Sequence, residues 1–269
     1  MMQLSLLVVA LAATACAPTP RGMGGADDDS SGDVDAGTDL GGVGVTSVYA
    51  HTSTKLYRVD PESLAITEIG TFGWSNGPDE MTDLAIDKEG RMIGVSFDSV
   101  YRVDPTTAAV TRLTANLSGD FNGLSFVPAA MVGGTGDDVL VGTRNTDGMV
   151  FRIDPMTGAA TAIGNMGSFA SSGDLVAVAN FTVMTADNGS SSDRLVRLAP
   201  TTFAASPIGT NIGYAEIWGV AYWKDKIFGF TSGGQFVTID PTTGLGTVVQ
   251  SNGPKWWGAA VTTAAPVLL

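Results

Sequence analysis

A six-residue phrase recurs five times along this chain and leaves few folds open to it. It reads Leu56-Tyr57-Arg58-Val59-Asp60-Pro61, Val100-Tyr101-Arg102-Val103-Asp104-Pro105 and Val150-Phe151-Arg152-Ile153-Asp154-Pro155. Weaker copies follow at Leu195-Val196-Arg197-Leu198-Ala199-Pro200 and Phe236-Val237-Thr238-Ile239-Asp240-Pro241. A strand-like unit repeating every ~40–50 residues is the mark of a β-propeller or a related array, because one unit cannot bury its own apolar face.

Residues Met81 to Thr114 show how one unit is built. Thr82–Ile86 predicts a first strand, Arg91–Ser96 a second, Val100–Val103 a third and Ala109–Leu113 a fourth. Asp87-Lys88-Glu89-Gly90 and Asp104-Pro105-Thr106-Thr107 supply the turns. Proline presets φ there, and an aspartate at the first position accepts backbone N–H groups further on. Four antiparallel strands joined by short hairpins make one blade. The repeated carboxylate therefore reads as turn chemistry rather than a row of metal sites, and Ala199, which lacks it but keeps Pro200, fits that reading. The repeated Arg58, Arg102, Arg152 and Arg197 read as blade packing or ion pairing, with Thr238 breaking the series.

The prolines at 61, 105, 155, 200 and 241 count five blades. The opening repeat begins at Val45-Thr46-Ser47-Val48-Tyr49, which matches a second strand, and lacks a first. The missing strand stands at the far end, where Trp257-Gly258-Ala259-Ala260-Val261 aligns with Trp218-Gly219-Val220-Ala221-Tyr222. The expectation is an all-β, five-bladed propeller of four-stranded antiparallel blades over residues 45–269, closed by residues 256–262 pairing with residues 45–50. Closure removes sheet edges that would otherwise invite aggregation. A ring of six with one degenerate blade is the alternative.

Residues 1–15 are apolar and small, too short for the ~20 residues that span a bilayer, and read as a signal peptide. Cys16, the only cysteine, follows at once. The segment resembles a bacterial lipoprotein signal, although Ala13 stands where that family usually has Leu and no Lys or Arg precedes the apolar run. The resemblance implies lipidation of Cys16 and, with Ala17 next, an exported protein held at the outer membrane. No membrane contact other than that lipid is expected. Residues 16–44 then read as a lipidated cysteine and an acidic Gly/Asp-rich linker, too poor in large apolar residues to order itself. Its aspartates do not make a calcium loop, which needs a terminal Glu and flanking helices. A formal net charge of −13 argues against nucleic acid, whose phosphates require a basic footprint.

Strand order puts the Asp-Pro turns on one face of the ring. The opposite face carries the blade-to-blade loops at the channel mouth, where Trp74, Tyr214, Trp218, Trp256 and Trp257 are the candidate ligand-binding aromatics. Trp74 and Trp256 are expected to be exposed; Trp218 and Trp257, at equivalent repeat positions, read first as wedges between blades and second as ligand-binding residues. Asp83, Asp120, Asp174 and Glu216 are the carboxylates nearest the mouth. A glycosidase needs two acids flanking the scissile bond, and these four are its candidates. Arabinanase-type five-bladed propellers place such acids in the channel, but no motif of that family is matched here. Asp83, Asp120 and Asp174 could also hold calcium or magnesium on the axis, since hard cations take oxygen ligands; no cofactor is otherwise expected. His51, the only histidine, reads as a solvent-exposed loop residue.

The repeat, aromatic-Arg-Val/Ile-Asp-Pro-x-Thr-Gly followed by a Thr-x-Ile-Gly strand, resembles secreted bacterial propeller proteins of poorly known function. Tachylectin-type five-bladed lectins offer an architectural analogy. The expectation is a monomeric, non-catalytic envelope lipoprotein binding a glycan or a protein partner through its loop face. A carbohydrate-active hydrolase or lyase, or a purely structural envelope protein, stands as the alternative.

Overall fold

The structure is a computed structural model that describes residues 47–179, 181–187 and 191–268. The expected signal peptide, Cys16 and linker, and residues 45 and 46 of the expected opening strand, lie outside the described residues. Five antiparallel sheets follow one another along the chain. The first contains β1 (Val48–His51), β2 (Lys55–Val59) and β3 (Ile66–Thr71). A two-residue strand, β4 (Gly73–Trp74), precedes the second sheet of β5 (Asp83–Ile86), β6 (Met92–Val95), β7 (Val100–Val103) and β8 (Ala109–Thr114). The third holds β9 (Gly123–Val127), β10 (Val139–Thr143), β11 (Met149–Ile153) and β12 (Ala160–Asn165). The fourth holds β13 (Ala170–Val178), β14 (Phe181–Asp187), β15 (Arg194–Leu198) and β16 (Ala205–Pro207). The fifth holds β17 (Ile217–Trp223), β18 (Lys226–Thr231), β19 (Phe236–Ile239) and β20 (Gly246–Gln250). The last strand, β21 (Gly258–Ala260), returns to the first sheet and pairs with β1, Tyr49 opposite Ala260 and His51 opposite Gly258.

The chain is thus a closed five-bladed propeller, and the C-terminal strand seals it as the repeat arithmetic requires. The inner strands touch in a ring. Leu124 of β9 donates to Asp83 of β5, Val220 of β17 donates to Asp174 of β13, and Thr262 just beyond β21 bridges Ile86 of β5. Crowding at the axis dictates residue size. A Cβ on Gly219 would lie 2.5 Å from the Gly258 carbonyl carbon of the next blade, so only glycine fits there.

Burial falls outward along each blade. The inner strands β5, β9 and β17 are buried almost throughout because neighbouring blades cover both their faces, whereas β20 is exposed over four of its five residues. Apolar side chains fill the wedges between blades, as Val95, Phe121, Leu124 and Ile153 do between the second and third. Each of the larger ones contributes about 1.5–3 kcal/mol by leaving water.

The Asp-Pro phrase does what its chemistry predicts. One carboxylate oxygen of Asp104 accepts the N–H groups of Thr106 and Thr107 at 2.8 and 3.1 Å, and Asp60, Asp154 and Asp240 repeat the pattern. Hydrogen bonds, largest among them the Thr106 hydroxyl at Asp104, hold these carboxyls below the usual aspartate range. The turn survives without the carboxylate: Phe203 N–H still donates to the Ala199 carbonyl at 2.9 Å. The fourth residue after the aspartate is left-handed in every copy, as Gly158 and Gly244 but also as Leu64, Ala108 and Phe203.

Candidate functional site

Repeat-equivalent residues at the starts of, or within, the five inner strands meet their neighbours from blade to blade in two layers. The deeper ring is Asp83, Gly123, Asp174, Gly219 and Gly258; the ring above it is Thr82, Asn122, Gly173, Trp218 and Trp257. Two aspartates and three glycines give the deeper ring just enough room for two carboxyl groups.

Those carboxyls are fully buried and bind the blades together. Asp83 accepts the N–H of Leu84 in its own blade at 2.8 Å and that of Leu124 in the next at 2.6 Å. Asp174 accepts Leu175 at 2.6 Å and Val220 at 2.8 Å, and Ala259 of the first blade also donates to it. Burial raises both carboxyls well above the ordinary range, and their interaction raises Asp83 while lowering Asp174. The buried pair therefore keeps a proton to higher pH than free aspartates do. Like-charged carboxyls brought together in low dielectric cannot both ionise.

His51 is fully buried at the end of β1, which corrects the expectation of an exposed loop histidine. Gly258 opposite it has no side chain, and the imidazole occupies that space. Its Nδ1 donates to the Thr52 carbonyl at 2.9 Å, and its Nε2 faces Asp83 Oδ1 at 3.6 Å with no hydrogen bond. Burial pushes its pKa down to about 4, so the ring is neutral.

The remaining carboxylates are not gathered with this pair. Asp120 and Glu216 are exposed, each at a left-handed backbone position, and Glu216 is hydrogen-bonded to the Ser232 hydroxyl. A glycosidase needs two acids facing an open cleft. Here two of the four candidates are sealed beneath the channel mouth against backbone amides, and the other two are exposed. Among the described residues, no three His, Cys, Asp or Glu side chains cluster as a metal site requires.

The upper ring is open. Trp218 and Trp257 stand nearly perpendicular, 86° apart with centroids at 6.1 Å, and are half-buried. They wall a cavity of ≈ 210 Å³ completed by Thr82, Phe97, Asn122, Asn145 and Ser172 with Gly173. Phe97 is 51 % exposed. The lining carries no charge, but Lys255 Nζ lies over both indoles, 5.1 Å from the Trp218 centroid and 5.8 Å from that of Trp257. Ser172 donates its hydroxyl proton to Asp193 at 2.7 Å; Asp193 also accepts Ile217 N–H, and burial lifts its pKa to about 6. A larger hollow of ≈ 700 Å³ opens on the turn face between the second and third blades, away from the mouth, and mixes Arg102 and Arg152 with Asp137, Asp138 and Asp154.

Of the five aromatics singled out in the sequence, the structure brings together Trp218 and Trp257. Trp256 is fully buried between Tyr57 and Phe230, with centroids at 5.1 and 5.4 Å, and so wedges the first and fifth blades apart instead of lying exposed. Trp74 is half-buried on the outer edge of the second blade, between Phe72 and Tyr101, because β4 pairs in parallel with β8. Tyr214 is half-buried between the fourth and fifth blades, where its ring limits Gly246 to glycine. Sequence reasoning passed over Phe97, Asn122, Asn145 and Ser172. The signal was positional: Asn122 occupies the repeat position of Trp218 and Trp257, and Phe97 and Asn145 sit in equivalent connections between second and third strands.

No protein-family model and no curated protein matches the chain. Among solved structures it is similar to one described as "The de novo evolutionary emergence of a symmetrical protein is shaped by folding constraints". That match has a TM-score of 0.51 and 16 % identity over 83 % of this chain and 99 % of the other. It is also similar to a chain in the crystal structure of a nidogen/laminin complex, with a TM-score of 0.50 and 8 % identity over 80 % of this chain and 97 % of that one. At such identities the likeness is one of fold.

Proposed function

We propose that the protein is a non-catalytic envelope lipoprotein, anchored through Cys16, that binds a glycan at the loop-face mouth of its propeller. The observation that carries this reading is the perpendicular Trp218–Trp257 pair over a cavity lined by two amides and two hydroxyls. Indole faces accept the apolar C–H face of a sugar ring, and amides and hydroxyls match its hydroxyl groups. At ≈ 210 Å³ the cavity falls below the ~300–1,000 Å³ of sites for drug-sized ligands, a size suited to one sugar ring at a time. The sealed floor beneath it supports binding over turnover. The acidic segment before residue 45 would serve as a tether between anchor and propeller.

Binding to a glycan array by the full protein tests the reading. Retention should fall at least about tenfold, ~1.4 kcal/mol, in Trp257→Ala and in Trp218→Ala. Equal retention by both variants would remove the mouth from consideration. Palmitate labelling of the expressed protein, lost in Cys16→Ser, tests the anchor.

A further inference from the structure

The same site carries a statement about charge, which rests on the reading of the mouth as a glycan site. We propose that the sugar it takes is acidic: a hexuronate-bearing saccharide whose ring stacks on Trp218 and Trp257 while its carboxylate pairs with Lys255.

Three observations converge on this. First, Lys255 is a cation without a carboxylate. Lys255 forms no ion pair among the described residues, a state it shares with Arg58, Arg102, Arg112, Arg152, Arg194, Arg197 and Lys226, and its Nζ rests on two aromatic faces. What sets it apart is position: its ammonium lies over both mouth indoles. Second, the scaffold holds it there. Gly253 N–H donates to Gly234 at 2.8 Å, Pro254 restricts φ, Trp256 is buried in the core and Trp257 N–H donates to the His51 carbonyl at 2.8 Å. Lys255 is therefore fixed by anchors on both sides, and only its own side chain is free to adjust. Third, two carboxylates near the cavity are engaged in hydrogen bonds, while Asp120 and Glu216, two residues before Asn122 and Trp218, are exposed. Asp98, beside Phe97, accepts the hydroxyls of Ser99 at 2.7 Å and Ser96 at 3.3 Å, and Asp193 lies buried behind Ser172. The cavity itself presents neutral hydrogen-bonding groups, and the Lys255 ammonium lies over the two indoles that wall it. A hexuronate joins an apolar ring face to a carboxylate at the ring edge, which is the complement of that arrangement.

The experiment uses an array of paired oligosaccharides, each polygalacturonate, alginate or glucuronan fragment beside its carboxyl-reduced neutral form. The expected result is retention at least tenfold stronger on the acidic member of a pair. That preference should weaken as salt rises, be lost in Lys255→Ala and be kept in Lys255→Arg. Lys255 is exposed, so its replacement leaves the fold intact. Equal retention on acidic and neutral members overturns the charge assignment and leaves the stacking site standing. Retention on neither member of any pair overturns both. A preference for acidic members that survives in Lys255→Ala overturns the role given to this residue.

Discussion

Replacing Asp83 by asparagine should change the sign of its effect on stability as pH rises. In the wild type, Asp83 is a fully buried carboxyl held well above the ordinary range by burial and by Asp174, and it is hydrogen-bonded to the amides of Leu84 and Leu124. Asparagine has one acceptor oxygen, so one of the two buried N–H groups loses its partner, at a cost of about 1–3 kcal/mol. The opposing effect grows with pH. Unfolded, Asp83 ionises at its ordinary ~3.9 while the folded protein still holds the proton, so the wild type loses about 1.4 kcal/mol of stability per pH unit above that point. The sign is that of a group raised on folding: its contribution is complete below the unfolded pKa and is lost as pH rises towards the folded one. Asparagine carries no such dependence. Asp83→Asn is therefore destabilising near pH 4, breaks even about one to two pH units above the ordinary aspartate pKa, and is stabilising beyond it. The gain levels off where folded Asp83 finally ionises, so the plateau reports its pKa. His51, pushed down to about 4, is neutral in the folded state over that upper range and cancels from the comparison. Urea midpoints followed by tryptophan fluorescence from pH 4.5 to 8 measure the difference. A wild-type-to-variant difference that does not move with pH would refute the raised pKa of Asp83 in this pair.

Further consequences follow from the same geometry. Trp256→Ala empties a fully buried wedge between the first and fifth blades and should cost about 3–5 kcal/mol, seen as a fall in Tm; an unchanged Tm would place the ring outside the core. Gly219→Ala sets a Cβ against the Gly258 backbone, and it should lower the urea midpoint by at least about 1–3 kcal/mol. Asp193 is raised to about 6, so its contribution is full below the ordinary aspartate pKa and is lost as pH rises through 6; Asp193→Asn should flatten stability across that window in a denaturant series. Asp104→Ala removes two amide partners and one hydroxyl partner from its turn and should cost about 0.5–2 kcal/mol by thermal melting, since the Ala199 turn shows that the fold tolerates the loss.

Blade number, strand boundaries and ring closure were legible in the primary structure because each depends on residues close together in the chain. The Asp104 carboxylate reaches amides two and three residues on, and the four strands of the second blade lie within a residue of their expected ends. Closure followed from counting, since a blade short of one strand at the start and a strand left over at the end have one economical solution. The roles of individual side chains at the axis were decided elsewhere. Asp83 meets Leu124, 41 residues away, and Asp174 meets Val220, 46 residues away, so nothing local separates a carboxylate that clamps two blades from one that lines a channel. His51 is buried because Gly258, brought over it by closure, leaves room for the ring. Adjacent tryptophans took opposite fates for the same reason: both precede β21, and the packing of the first and fifth blades took Trp256 inward and left Trp257 at the mouth. Local hydrogen bonding and repeat spacing carry the architecture, whereas burial and electrostatics at a site where five blades converge exist only after the ring has closed.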